Sequence, residues 1–75
     1  MKEQAVGRVL WRAAEDGEFR RRALANLGTA LAEEGFILTD AEMAALRSCW
    51  EPLAGLAERA AYERIAALAR GHRRE

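Results

Sequence analysis

The chain has 75 residues, enough for one domain that buries roughly 60% of the surface its unfolded form would expose. Twelve basic residues balance twelve acidic ones, so the electrostatic footprint that nonspecific nucleic-acid binding or an anionic membrane surface requires is missing. One cysteine, Cys49, excludes an internal disulfide, and no run of eighteen apolar residues or signal peptide is present, which makes a cytoplasmic location the expectation.

Strand signals are nearly absent, since Phe36-Ile37-Leu38 is the only β-like stretch and is too short to build a sheet. Helical punctuation recurs about every ten residues, and the expected fold is all-α: a compact bundle of about five short helices with a longer C-terminal one. The first helix occupies residues 1–15, starting near Glu3, with Val6, Val9, Leu10 and Ala13 on one face. Asp16-Gly17 breaks it, and Asp16 caps a second helix over 17–26, with Glu18 in the first turn where the helix dipole favours a carboxylate. That helix buries Phe19, Ala23 and Leu24 and turns Arg20, Arg21 and Arg22 mostly outward. Asn26 ends it and caps a third helix over 27–34 that carries Ala30 and Leu31. Gly35 follows as the residue free to take the left-handed conformation that closes a helix.

The clearest local signal is Thr39-Asp40-Ala41-Glu42, a capping box that opens a fourth helix over 40–49 with Met43, Leu46 and Trp50 facing inward. Leu38 and Met43 flank the box at the spacing of a hydrophobic staple. Pro52 suits the first turn of a fifth helix over 52–70, whose stripe reads Leu53, Leu56, Ala57, Ala60, Ala61, Ile65 and Leu68. Gly55 weakens that helix by roughly 1 kcal/mol relative to alanine without breaking it. At this length its C-terminal half should project or pair with a partner, and a homodimer through this helix is one option. Residues 71–75 form a charged tail.

Candidate chemistry is sparse. Nucleophilic catalysis needs a base beside the nucleophile, yet the one histidine, His72, lies in the tail, far from Cys49 in sequence. Neighbouring carboxylates such as Glu33-Glu34 diverge around a helix. No catalytic, cofactor or metal site is expected, and the Arg20-Arg21-Arg22 run reads as a solvated or acid-paired face rather than a phosphate contact. The large apolar residues are more informative: Trp11 lies off the Val6/Leu10 face, Trp50 falls in a tight inter-helix turn, and Phe36 and Ile37 sit in a connector. Trp11, Phe36, Ile37 and Trp50 are therefore the candidate partner-contact residues, since exposed apolar patches mark binding sites on small domains.

The ordered segments Ala5-Val6-Gly7-Arg8-Val9-Leu10, Asp16-Gly17-Glu18-Phe19-Arg20, Ala30-Leu31-Ala32-Glu33-Glu34-Gly35 and Leu38-Thr39-Asp40-Ala41-Glu42-Met43-Ala44-Ala45-Leu46 carry a likeness over roughly residues 5–60. Together they resemble the nitrile hydratase-like leader peptide clan, bacterial precursors of ribosomally made, modified peptides. The pattern is also similar to the small α subunit of protocatechuate 4,5-dioxygenase and to the binding domain of split borosin precursors. The resemblance implies a helical module without chemistry of its own that docks onto a biosynthetic or maturation enzyme. The segment from Ala66 to Glu75 contains no Cys, Ser or Thr that would serve as a modifiable core, so a leader-like or accessory module is expected rather than a full precursor. A small accessory subunit of a dioxygenase-like enzyme and a self-associating helical protein are the alternatives.

Overall fold

A computed structural model describes residues 4–72, and the expected helix start at Glu3 and the last three residues of the tail lie outside them. Five α-helices follow in chain order: α1 (Gln4–Glu15), α2 (Gly17–Ala25), α3 (Leu27–Glu34), α4 (Asp40–Trp50) and α5 (Glu58–His72), with a 3-10 turn (Glu51–Leu53) after α4. Among the described residues there is no strand, and the protein is an all-α bundle. Its radius of gyration, 11.1 Å, matches the roughly 11 Å expected of a packed chain of this length.

From the start of α2 to the start of α4, each helix boundary is set by a local hydrogen bond that the sequence chemistry dictates. The Asp16 carboxylate accepts from the backbone N–H groups of Glu18 and Phe19 at 3.0 and 3.1 Å, satisfying two donors that would otherwise be orphaned at the start of α2. Asn26 does the same for Thr29 at the start of α3. Gly35 takes φ 82°, and the N–H groups of Gly35 and Phe36 donate to the carbonyls of Ala32 and Leu31, the paired closure of a Schellman motif. At α4 the Thr39 hydroxyl accepts from Glu42 N–H while the Glu42 carboxylate accepts from Thr39 N–H, so both halves of the capping box form.

Gly35 is the one described residue with positive φ, and open space surrounds the position of an added Cβ. Strain alone should then govern a substitution there: Gly35→Ala is expected to cost about 1–2 kcal/mol, the penalty of a side chain in left-handed backbone. A urea titration measures it. An unchanged midpoint would mean the closure relaxes without penalty.

The core forms where the apolar faces of these helices meet. Val6, Val9, Leu10 and Ala13 of α1 are at most 1% exposed, and α5 lays Ala61, Ile65 and Ala69 inward with α1 as its principal neighbour. Phe19, Ala23, Ala30, Leu31, Leu46, Trp50 and Leu53 complete the interior, with Leu24, Leu27, Leu38 and Met43 packed at its edge.

The fifth helix departs from expectation. It begins at Glu58, six residues after Pro52, and Pro52 instead sits in the 3-10 turn that continues directly from α4. Within that turn Leu53 is buried, held by i→i+3 bonds from Ala54 N–H to Glu51 O and from Leu56 N–H to Leu53 O. A continuous helix from Pro52 would place Gly55 in a helix interior, a cost of about 1 kcal/mol that the break at residues 54–57 avoids. Leu56, Ala57 and Ala60, read as part of the apolar stripe, are exposed. The C-terminal half of α5 does not project: Ile65 and Ala69 are fully buried, and the helix runs through Gly71 to His72.

Candidate docking surface

Four apolar residues were singled out by sequence, and the structure distributes them differently. Trp50 is 7% exposed, and its indole Nε1–H donates to the Ala23 carbonyl at 3.3 Å. The helix α4 extends through position 50, which places Trp50 one turn after buried Leu46 and on the same inward face. Trp50 is a core residue, then, and offers little surface to a partner. Phe36 is half-buried, its ring 6.1 Å from that of Phe19 in a tilted arrangement that suits two aromatic quadrupoles. Trp11 is likewise half-buried against the core cluster.

Ile37 is the exception, at 91% exposure the most exposed large apolar residue described. Its position is tightly specified, because the Gly35 closure of α3 lies two residues before it and the Thr39 capping box of α4 two residues after it. Phe36 and Leu38 on either side turn into the core, so alternation along this short extended connector leaves Ile37 pointing away from it.

The charge along this stretch of the chain is one-sided in sequence. No basic residue occurs between Arg22 and Arg47, whereas Glu33, Glu34, Asp40 and Glu42 fall in that stretch. Glu33 and Glu34 are tied back: Arg22 bonds both at 2.7 and 3.2 Å, and Arg12 reaches Glu34 at 2.7 Å. The Glu33 bond first, and then the Glu34 bond, hold Arg22 more firmly protonated than usual. Asp40 and Glu42, three and five residues after Ile37 in the first turn of α4, are the acids on its other side, and the Glu42 carboxylate is held by Thr39 N–H.

The arginine run is acid-paired, with one correction. Arg20 does not turn outward: its side chain is 14% exposed, and Nη1 donates to the Ala13 and Ala14 carbonyls at 2.8 and 3.4 Å, closing the end of α1. Its guanidinium carbon lies 4.7 Å from the centre of the Tyr62 ring, and Glu58 approaches both Arg20 and Arg21 at 4.0 and 3.9 Å. Arg20, Glu58, Arg59, Tyr62 and Glu63 line a shallow hollow of about 490 Å³. Sequence reading missed this arrangement because it joins residues more than forty positions apart, and no local spacing signals it.

Asp16 supplies the clearest link between charge and stability. The Phe19 N–H bond foremost, then the Glu18 N–H bond and nearby Arg12, hold its carboxyl below the usual carboxylate range. A carboxyl depressed on folding stabilises the folded state above its unfolded pKa, near 4, and that contribution is lost as pH falls through the lower, folded value. The thermal midpoint should therefore fall as pH drops below about 4, and Asp16→Asn, which keeps a capping oxygen, should flatten that fall. A melting series from pH 6 to pH 2 on both proteins measures it; parallel curves would contradict the assignment.

Cys49 is half-buried and free. Among the described residues no group of three His, Cys, Asp or Glu side chains is placed to hold a metal ion, and no helix is long and apolar enough to cross a membrane. No protein-family model, curated protein or solved structure matches the chain. The described residues form a small five-helix domain whose most exposed large apolar residue lies in the connector between two capped helices.

Proposed function

We propose that this domain is a non-catalytic recognition module of leader-peptide type, which docks onto a peptide-modifying or other biosynthetic enzyme through the α3–α4 connector. The observation that carries this reading is Ile37, exposed between two closed helix caps. Burying an isoleucine side chain in a partner pocket contributes about 1.5–3 kcal/mol, and a connector already fixed at both ends loses little conformational freedom on binding. Asp40 and Glu42 beside it favour a pocket with a basic rim, which would speed encounter and make association weaken with salt. Trp11 and Phe36 pack against the core, and the Trp50 indole ties α4 to α2 through the Ala23 carbonyl.

Co-expression with any biosynthetic enzyme found encoded beside this gene tests the reading. Stable co-purification of the two chains, lost with Ile37→Asp, is the expected outcome. Failure of the wild-type chain to bind, or equal recovery of the variant, contradicts it. Because Ile37 is almost fully exposed, the substitution should shift stability by no more than about 0.5 kcal/mol, so loss of binding would not report unfolding.

A further inference from the structure

We propose that the Arg20 guanidinium is a latch, holding residues 54–62 as a strap over the end of α1 that opens without unfolding the rest of the bundle. Seven consecutive residues, 54–60, are exposed, and Ala61 is the first fully buried side chain after Leu53. Little apolar burial therefore secures this stretch. What does secure it is Arg20, which grips α1 through the Ala13 carbonyl at 2.8 Å while its face lies 4.7 Å from the Tyr62 ring centre.

The grip is incomplete in a way that favours reversibility. Arg20 Nε is buried without a hydrogen-bond partner when the strap is closed, and opening returns that N–H to water. The Glu58 carboxylate stands 4.0 Å from Arg20 and 3.9 Å from Arg21, distances of ion pairs that salt screens readily. Opening forfeits the ring contact, the two ion pairs and the burial of Ala61, and it regains one donor's solvation. Closed and open forms are thus separated by a few side-chain contacts, whereas α5 beyond it stays fixed on α1 by Ile65 and Ala69. The latch is independent of Ile37 and of the docking reading.

Native-state hydrogen exchange on the whole protein, at low and high salt, tests it. The amides of Ala61 to Arg64, the first of which donates to the Ala57 carbonyl within the strap, should exchange at least tenfold faster than those of Val9, Leu10 and Leu46, and faster again at high salt. Arg20→Gln should accelerate Ala61 to Arg64 a further tenfold and leave Val9, Leu10 and Leu46 unchanged. If Arg20→Gln does not fold, Tyr62→Leu replaces it, since Tyr62 is 41% exposed; a threefold or greater acceleration confined to the same amides is then expected. Equal acceleration in every helix, or none in these amides, overturns the latch.

Discussion

Replacing Phe19 with alanine should bring the domain to the edge of unfolding at 25 °C. Phe19 is fully buried, belongs to the central apolar cluster and pairs with the ring of Phe36, so its truncation removes contacts from α2 and from the α3–α4 connector together. Phenylalanine-to-alanine changes in cores cost about 3–5 kcal/mol, combining lost transfer free energy with the cavity left behind. A chain of this length is stable by only about 4–11 kcal/mol. The expected outcome in a thermal melt followed by circular dichroism is a fall in midpoint of at least about 12 °C, and a fall below about 5 °C would show that the core closes over the gap.

The second large effect is expected at Trp50. Its truncation to alanine should cost about 3–5 kcal/mol, because nearly the whole indole is enclosed at the junction of α4 with the 3-10 turn. Trp50→Phe separates packing from hydrogen bonding: it keeps an aromatic body and removes the donor to the Ala23 carbonyl, for an expected cost of about 1–2 kcal/mol. Denaturant midpoints of the three proteins should rank wild type, Trp50→Phe, Trp50→Ala. If Trp50→Ala matched the wild type in stability, the buried placement would be wrong and a contact role would return. The ranking also matters for binding work, since a Trp50→Ala protein that loses its partner reports a damaged fold rather than a lost contact.

The features that sequence expressed well are those settled within four residues. Asp16, Asn26, Gly35 and the Thr39/Glu42 pair all act on backbone groups two to four positions away, and each forms the bond its residue type favours. The inward face of α1 was legible for a related reason, because Val6, Val9, Leu10 and Ala13 carry a 3.6-residue period without interruption. The start of α5 was not. Alanines at 57, 60 and 61 continue the spacing set by Leu53 and Leu56, but alanine gains little from burial, so the period ran on through a break that tertiary contacts had decided. At Trp50 the spacing from Leu46 already marked an inward position, and the nearby proline diverted attention to a turn that the helix outlasts by one 3-10 step.

The candidate surface was legible in part. Ile37 stood out as a large apolar residue in a connector, and the structure leaves it exposed while drawing Phe36 and Trp11 against the core. Which of four apolar residues stays outside depends on how α2 and α4 close around the connector, and that is a property of packing. The Arg20 clasp lies further from sequence still, for Ala13, Glu58 and Tyr62 meet one guanidinium only after α1, α2 and α5 have assembled.

Calorimetric titration of an enzyme that co-purifies with this domain, using wild-type protein and Ile37→Asp, tests the proposed docking most directly. The account predicts at least tenfold weaker binding for the variant, a loss of about 1.4 kcal/mol or more, with thermal midpoints within about 4 °C of each other. Equal affinity of the two proteins for that enzyme would contradict it.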